Sequence, residues 1–289
     1  MHAYLILAHR QDETLRFLIS SIDDKRNELF VHLDKKAGPI DTAVFRTQHC
    51  HLHFVQRMDT NWGSFSLVLA ELSLLTEATR MGHHAYYHLL SGQDLPIKDQ
   101  GQIHQFFEKN MGKEFVSFDQ NFEFDYRVHY FYPIQKRLQT GMWGRKCNVA
   151  LQKIQQFLNI RRNQKINFFS GSQWFSISDD CARYVVGQAN WIKKVFHHGF
   201  ATDEIFLQTV LMDSTFSQHF YHSPTHDKDF KHLSTKNEID CLRLVNWENG
   251  KPAIFKSENL QEIINSECLF ARKFDEKVDM KIIERVTRN

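Results

Sequence analysis

The sequence has few cysteines, and they show no pairing pattern. The five residues are Cys50, Cys147, Cys181, Cys241 and Cys268. They lie far apart, are odd in number and form no C-x-x-C pair. This distribution argues against a zinc knuckle and against a disulfide framework, and it is typical of proteins from a reducing compartment.

Long apolar segments are also missing. The first apolar run, residues 3–8, follows almost directly on the initiator methionine and is far too short to span a bilayer. No basic region followed by a longer apolar region precedes it, as a secretory signal would require. Together with the cysteine distribution, this predicts a cytoplasmic protein.

Several common catalytic and nucleotide-binding motifs are absent. The sequence contains no G-x-x-x-x-G-K-[ST], no G-x-G-x-x-G and no G-x-S-x-G. It is therefore not a typical P-loop kinase, dehydrogenase or serine hydrolase. The alternating histidines His49, His51 and His53 would share one face of a strand, but no acid or cysteine accompanies them. We interpret them as part of a solvent-facing edge strand and not as a metal site.

Acidic residues are missing from one long segment. Residues 126–178 contain no Asp or Glu but nine Lys or Arg, although the chain as a whole carries a net charge of only +2. The balanced total charge gives no indication of a nucleic-acid partner. For the segment itself, two interpretations stay open: a solvated helical face without a partner, or a surface that faces an anionic membrane or a phosphate-bearing acceptor. The second would use the aromatic residues Tyr130, Phe131, Tyr132 and Trp143 at the interface.

The hydrophobic pattern predicts an α/β fold with a mostly parallel central sheet flanked by helices. Strand patterns alternate with helical patterns over the first hundred residues, which is typical of βαβ units. The strands are predicted at residues 3–8, 28–33, 52–55 and 85–90. The helices are predicted at 13–22, 40–47, 64–80, 102–109, 179–188, 203–212 and 260–265. Because no repeat or Pro/Gly-rich linker is visible, we expect a single domain over residues 1–289.

Polar residues follow three of these strands. His9 and Arg10 follow the first strand, Asp34 ends the second, and Ser91 and Asp94 follow the fourth. Ligands of α/β folds bind at the carboxyl ends of the strands, where a carboxylate can accept hydrogen bonds from a ribose or a base. Each residue alone is equally compatible with a surface turn. Their recurrence at one edge predicts a binding crevice.

Two further sites carry chemistry. In Thr202-Asp203-Glu204, Thr202 could cap a helix whose first turn contains both acids, or one acid could act as a general base. Arg272 and Lys273 lie between Phe270 and Phe274. They could clamp a pyrophosphate, or they could be two solvated cations.

Taken as an ordered set, several segments resemble the core-2/I-branching β-1,6-N-acetylglucosaminyltransferase and peptide xylosyltransferase family. The segments are AYLILAHR, FVHLDKK, TNWGSFSLVLAELSLL, YYHLLSGQDLPIK, FFEKNMGKEFV, GSQWFSIS, TDEIFLQTVL, RLVNW and FARKFD. The resemblance implies a GT-A type glycosyltransferase fold with a Rossmann-like nucleotide-binding half. Residues 1–118 would then bind mainly the nucleotide-sugar, and residues 119–289 would bind mainly the acceptor and supply the catalytic base.

The resemblance also implies roles for individual residues. Glu204 matches the family's catalytic base, and Lys273 matches its diphosphate-binding cation. The second cation is Arg272 or Arg243, because this sequence has no arginine near Gly250, where the branching enzymes have one. The donor side comprises His9, Asp34, Trp62, Ser91, Asp94, Arg272 and Lys273. The acceptor side comprises Gln173, Trp174, Asp203, Arg243 and Trp247, with Gln173 in place of an acid of the xylosyltransferases.

The implied function is inverting transfer of a sugar, first of all N-acetylglucosamine, from a UDP-sugar to a glycan or lipid-linked glycan, with no divalent metal and no other cofactor. Xylosyl or galactosyl transfer on the same fold and a non-catalytic carbohydrate-binding protein are the alternatives. The chain begins at its first strand without a Golgi-type anchor, which is typical of a bacterial enzyme. We therefore expect a role in bacterial surface polysaccharide or lipopolysaccharide synthesis, at the inner face of the cytoplasmic membrane and with no nucleic-acid partner.

Overall fold

The computed structural model describes residues 1–119, 124–136, 142–222 and 238–288, which form an α/β fold. In chain order, its strands are β1 His2–Ala8, β2 Asn27–Leu33, β3 His51–Phe54, β4 Tyr86–Ser91, β5 Asp94–Pro96, β6 Phe115–Val116, β7 Phe175–Ser178, β8 Arg243–Val245, β9 Trp247–Glu248, β10 Lys251–Pro252 and β11 Phe270–Arg272. Its helices are α1 Glu13–Ser21, α2 Phe65–Met81, α3 Gln100–Lys109, α4 Asp125–His129, α5 Met142–Phe157, α6 Asp179–Gly187, α7 Ala189–Phe196, α8 Phe206–Met212, α9 Leu260–Asn265 and α10 Glu276–Thr287.

A six-stranded sheet lies at the centre, in the order β3-β2-β1-β4-β7-β6. The strands β3, β2, β1 and β4 are parallel, while β7 runs antiparallel between β4 and β6. The prediction of a mostly parallel central sheet is therefore confirmed. Since this sheet includes strands from both sides of residue 118, the two predicted halves share it. Donor binding by the first half and acceptor binding by the second stay predictions.

A smaller sheet lies beside the first and brings the late part of the chain to it. It has the order β5-β11-β8, with β11 antiparallel to β5 and parallel to β8. In this register Arg272 pairs with Asp94 on one side and with Val245 on the other. The short strands β9 and β10 form a separate antiparallel pair.

Both faces of the central sheet are covered, as parallel sheets require. On one face, α2 buries Val68, Leu72 and Leu75. On the other, α1 and α10 bury Leu18 and Ile282. No helix in the described ranges combines the length and the apolar composition needed to cross a bilayer.

Side-chain caps start several helices at the predicted positions. Asp12 accepts a hydrogen bond from the Leu15 amide at 3.0 Å and begins α1. Ser178 begins α6 in the same way, through the Cys181 amide. These caps satisfy backbone donors that have no partner inside the helix.

One predicted helix is wrong. Residues 40–47 form turns, because the Asp41 side chain accepts a hydrogen bond from the Ala43 amide at 2.8 Å and so holds a local turn. The helix predicted at 203–212 is interrupted: a 3-10 turn at Thr202–Glu204 precedes α8. The other predicted helices and strands are present, with ends that differ by a few residues.

Candidate active site

The predicted crevice lies at the carboxyl edge of the central sheet. Because β2, β1 and β4 are neighbours and parallel, the residues that follow them meet at this edge. The strand β7 is antiparallel, so its beginning lies there as well and brings Gln173 and Trp174 to the same edge. The residues after β6, including Asp119, also arrive there. The fold thus gathers polar groups from five strands.

Glu204 is partly exposed and paired with a buried arginine. Its Oε2 accepts a hydrogen bond from Nη1 of Arg127 at 2.6 Å, with 43% of the Glu204 side chain exposed and 9% of that of Arg127. Oε1 of Glu204 accepts no hydrogen bond from the described residues. One carboxylate oxygen is therefore oriented by the protein while the other can meet a substrate. Arg127 was not predicted as a site residue; its only signal in the sequence was its place at the start of the acid-free segment.

Asp203, the neighbouring acid, has a different environment. It is buried, and its Oδ1 has no hydrogen-bond partner among the described residues. Burial, reinforced by the charge of Glu204, raises the pKa of Asp203 to about 7. Glu71 of α2 is also fully buried, and burial together with Asp203 raises its pKa well above the usual range. Of the two adjacent acids, only Glu204 is placed to act on a substrate as a base.

The segment that precedes β7 links this acid to the rest of the crevice. The Gly171 amide donates to the Glu204 carbonyl at 2.9 Å, and Gln173 Nε2 donates to Glu71 Oε1 at 2.7 Å. Position 171 requires glycine, because a Cβ atom there would lie 1.9 Å from the Ser117 carbonyl oxygen. The hydrogen bond from Gly171 therefore fixes the backbone position of Glu204. Gln173 bonds with a buried acid, and its acceptor-binding role remains a prediction.

Arg272 lies over the face of Trp174 at the same edge. Its guanidinium carbon is 4.1 Å from the ring centroid, and its Nε is 3.9 Å from Oδ1 of Asp94. Nε and Nη1 are buried and form no hydrogen bond with the described residues. Trp174 itself is buried, so it supports the cation and offers little ring surface to an acceptor sugar. Arg272 therefore carries donors that a ligand could satisfy.

Lys273 adds a second cation whose charge is poorly compensated. Its ammonium group forms no hydrogen bond or ion pair within the described part of the chain. Burial, followed by the charges of Arg272 and Arg10, lowers the pKa of Lys273. The lowered pKa means that the protonated form is unfavourable here, and a bound anion would relieve this. A diphosphate has the charge and the oxygen atoms to do so.

Arg10 completes the group of cations; it was predicted to lie at this edge but was given no individual role. It lies directly after β1, with Nε 2.6 Å from Oδ2 of Asp12 and Nη1 3.0 Å from Oδ2 of Asp275. Reduced hydration, then the charges of Arg10 and Lys273, lower the pKa of the neighbouring His9. The sequence signal for Arg10 was its position at a strand end. The structure shows that it shares this region with Lys273.

Asp94 and Ser91 form the turn that ends β4. Both Asp94 oxygens are occupied, one by the Ser91 amide at 2.7 Å and one by the Ser91 hydroxyl at 2.6 Å. Asp94 is buried below Arg272 and helps to position it. Ser91 and Asp94 thus lie at the predicted edge, with a clear structural role. Contact of either residue with a donor sugar remains a prediction.

Asp34 also lies at the predicted edge and is engaged by its own chain. It is buried and accepts hydrogen bonds from the Lys36 amide at 2.7 Å and from the amide and hydroxyl of Thr60. Although burial opposes it, hydrogen bonding by Thr60 and Lys36 lowers the pKa of Asp34. The bonds to Thr60 hold the loop that carries Trp62. That indole is exposed and packs edge-on against Phe200 at 5.8 Å.

Arg243 lies in the interior and not at an acceptor surface. Its guanidinium donates to the carbonyls of Leu89 at 3.0 Å and Phe175 at 2.8 Å, and it is almost fully buried. These contacts are those of a structural residue that joins the two sheets. Trp247 lies just beyond β8, whose register places it at the same end as Lys273.

The prediction of transfer without a divalent metal depends on possible metal ligands, some of which lie outside the described residues. Within the described ranges, no group of three or more His, Cys, Asp or Glu side chains is arranged to hold a metal ion. The sequence contains one D-x-D triplet, Asp227-Lys228-Asp229, which lies outside the described residues. Transfer without a divalent metal therefore remains a prediction.

A comparison with known families identifies the family of this chain. A family model described as Core-2/I-Branching enzyme matches residues 2–267. The chain belongs to the Core-2/I-branching enzyme family. This confirms the predicted family, whose members are glycosyltransferases. The matched range includes Glu204 and ends shortly before Arg272 and Lys273.

Individual relatives are distant. The chain is 22% identical over 294 residues to Xylosyltransferase sqv-6 of Caenorhabditis briggsae, covering 97% of this chain and 35% of that protein. It is 23% identical over 288 residues to Xylosyltransferase sqv-6 of Caenorhabditis elegans, covering 91% of this chain and 32% of that protein. The chain thus spans about a third of the length of these curated relatives. Among solved structures, the apo form of mouse Xyloside xylosyltransferase 1 has a TM-score of 0.40 and 10% identity, over 94% of this chain and 97% of that one.

Proposed function

We propose that this chain is an inverting glycosyltransferase that moves a sugar from a UDP-sugar to a hydroxyl group of a glycan, without a divalent metal. The observation that carries the proposal is the arrangement at one sheet edge of a partly exposed carboxylate, Glu204, and two poorly compensated cations, Arg272 and Lys273. The segment at residues 171–174 contacts both. Family membership supports glycosyl transfer as the reaction class.

Glu204 is the proposed general base. Its Oε1 takes the proton from an acceptor hydroxyl, whose oxygen forms a bond with the anomeric carbon of the donor. The bond from that carbon to the diphosphate oxygen breaks at the same time, and its electron pair leaves with UDP. Because the attack comes from the face opposite to the leaving group, the configuration inverts and a β-linkage results from an α-linked donor. A positioned base contributes roughly 10²–10⁴-fold to the rate.

Arg127 is the proposed positioning residue for this base. It is buried, approaches only Oε2 and leaves Oε1 available. A fixed ion pair of this kind limits the rotation of the carboxylate, so the reacting oxygen keeps one direction. Asp203 is buried, so an acceptor hydroxyl cannot reach its carboxyl group as it can that of Glu204.

Arg272, Lys273 and Arg10 are the proposed stabilisers of the departing diphosphate. Arg272 has buried donors without partners, and the Lys273 ammonium has no ion pair among the described residues. Preorganised cations of this kind stabilise charge that develops on a leaving group, and removal of one such group costs about 10²–10³ in rate. In this scheme the side chains would take the role that a divalent ion has in metal-dependent transferases.

The sugar and the acceptor are the finer part of the proposal. N-acetylglucosamine is the first candidate, in keeping with the branching enzymes that give the family its name. Xylose is the second, because the curated relatives are named xylosyltransferases and because the Arg272-Lys273 pair resembles that branch. For the acceptor we propose a glycan or lipid-linked glycan of bacterial surface polysaccharide synthesis, with Trp247 as a sugar-stacking residue.

A panel of UDP-sugars tests the proposal. The intact chain is incubated with UDP-GlcNAc, UDP-xylose, UDP-galactose or UDP-glucose, and release of UDP and protection against thermal unfolding are measured with and without excess EDTA. We expect one donor to be hydrolysed slowly and to raise the melting temperature, with EDTA having no effect. If no UDP-sugar is bound or cleaved, the proposed function is wrong. If EDTA abolishes the activity, the metal-free scheme is wrong, and Asp227 and Asp229 become the first residues to replace.

A further inference from the structure

The helix α5 is turned with its polar side towards the protein. The residues of α5 that face the protein body are Asn148, Gln152 and Gln155, with Asn148 only 3% and Gln155 only 8% exposed. Asn148 donates to the Ile134 carbonyl at 3.2 Å, and Gln155 bonds with both backbone groups of Phe131. Surface helices of soluble proteins normally bury their apolar side. This one is held by amide hydrogen bonds.

The opposite side of α5 and the turn after it expose apolar residues. Phe157 is 88% and Ile154 is 53% exposed, and Val149, Leu158 and Ile160 are close to half exposed. Positions 146, 149/150, 153/154 and 157 follow one another at intervals of three or four residues, so they lie on one side of the helix. We call Val149, Ile154, Phe157, Leu158 and Ile160 the α5 apolar patch. Isolated exposed apolar residues are common, but a contiguous patch marks an interaction surface.

Phe131 is a further exposed aromatic residue next to α5, while two of the predicted interfacial aromatics are buried. Phe131 is exposed beside α5 and lies under the Arg162 guanidinium at 4.9 Å. Tyr130 and Tyr132 are buried and pack with Tyr126 and Phe200, so the prediction that they contact an interface is wrong. Arg137 lies outside the described residues, and the side chain of Trp143 is not described.

Exposed cations lie on α5 and just after it, next to the α5 apolar patch. Arg145, Lys146 and Lys153 are exposed on α5, and Arg161 and Lys165 are exposed just after it. Residues 126–178 contain no Asp or Glu, and the described ion pair nearby is the 3.4 Å contact of Arg161 with Asp125. Apolar residues flanked by Lys and Arg match the interface of an anionic bilayer, where apolar groups enter the acyl region and long cationic side chains reach the head groups.

We propose that α5 binds an anionic lipid bilayer as a peripheral helix. The α5 apolar patch enters the interface, and Lys146, Lys153 and their neighbours contact the lipid head groups. The proposal selects a membrane over a second copy of the chain because a copy would bring the same cations face to face, and like charges repel. It is independent of the transferase reaction, because the residues of α5 are distinct from those of the candidate active site. A lipid-linked acceptor would then be presented at the surface that the enzyme occupies.

Vesicle flotation tests the proposal. The intact chain is floated with phosphatidylcholine vesicles that contain 30–40% phosphatidylglycerol, and with pure phosphatidylcholine vesicles. We expect binding to the anionic vesicles, weakened by high salt, and little binding to the neutral ones. The double variants Ile154→Gln/Phe157→Gln and Lys146→Gln/Lys153→Gln should each reduce binding roughly tenfold or more. A variant matched in apolar and charge loss, Lys109→Gln/Met111→Gln, changes exposed residues elsewhere and should bind like the wild type.

Two further measurements separate the possible outcomes. The melting temperature should be nearly unchanged in all three variants, which shows that they are folded and that the result concerns α5 alone. Sedimentation velocity should show a monomer. The proposal is overturned by absence of flotation, by equal binding to neutral vesicles, or by a dimer that Ile154→Gln/Phe157→Gln dissociates, since a second copy would then cover the patch.

Discussion

Nη1 of Arg127 lies 2.6 Å from Oε2 of Glu204, although 77 residues separate them in the chain. The arginine is buried and the carboxylate is half exposed, so the ion pair runs from the protein interior to the surface. A buried cation is stable only when it is compensated. Glu204 therefore has two roles that an experiment can separate, compensation of Arg127 and proposed proton abstraction.

Glu204→Gln should remove turnover and spare nucleotide binding. The amide oxygen can still accept from Arg127, but it is a far weaker base than the carboxylate. We expect kcat to fall roughly 10²–10⁴-fold, with the dissociation constant for UDP nearly unchanged and the melting temperature modestly reduced. Steady-state kinetics, calorimetry and thermal unfolding measure the three quantities. An equal loss of UDP binding and turnover would show that Glu204 is a structural residue only.

Lys273→Ala should weaken UDP binding roughly 10- to 100-fold, because a charge-assisted hydrogen bond contributes about 1.5–3 kcal/mol. Lys277→Ala removes an exposed cation of α10 and serves as the matched control. The pKa of Lys273 is lowered, so the ammonium loses its proton earlier than usual as the pH rises. UDP affinity should therefore decline at alkaline pH.

The pH dependence of binding is checked by calorimetry between pH 7 and pH 10. In Lys273→Arg the cation stays protonated over this range, so its UDP affinity should change less with pH than that of the wild type. The assignment of Lys273 to the diphosphate fails if Lys273→Ala binds UDP as well as Lys277→Ala does.

Asp203 should make the fold less stable as the pH rises. Its pKa is raised to about 7 in the folded chain, against about 3.9 in an unfolded one. Between these values the folded state keeps the proton and the unfolded state releases it, so the free energy of unfolding falls from about pH 4 to about pH 7 and then levels off. Asp203→Asn removes this contribution. Its melting temperature should decline less between pH 5 and pH 8 than that of the wild type.

A control for this measurement is Asp213→Asn, which changes an exposed carboxyl group next to α8. It should keep the pH dependence of the wild type. Glu71 and Asp119 also have raised pKa values, so some dependence should remain in Asp203→Asn. Identical slopes for Asp203→Asn and Asp213→Asn would contradict the raised pKa of Asp203.

Local patterns were enough to predict most of the elements. The 3- and 4-residue spacing of Val68, Leu72 and Leu75 predicted α2, because helical periodicity is a property of neighbouring residues. The same approach was wrong at residues 40–47, where the Asp41 side chain competes for the backbone amide. Strand ends were also predictable, since His9, Asp34 and Ser91 directly follow or end apolar runs.

Roles that depend on burial were not predictable. Arg243 and Trp174 were predicted to bind the acceptor at the surface, but both are buried by elements that are distant in sequence. Arg127 gave no stronger signal than other cations, and Arg10 was marked only by its place at a strand end. Their importance depends on the anions and cations that the fold places next to them.

The sequence by itself determined the alternation of strands and helices, the family, and the segments that carry the acid and the cations, because these are recorded in short ordered runs of residues. The tertiary structure alone decided that Glu204 pairs with Arg127, that Asp203 is buried, and that α5 faces the protein with its amides. Each of these depends on contacts between residues far apart in the chain. Such contacts are set by how whole elements pack, and no local pattern records them.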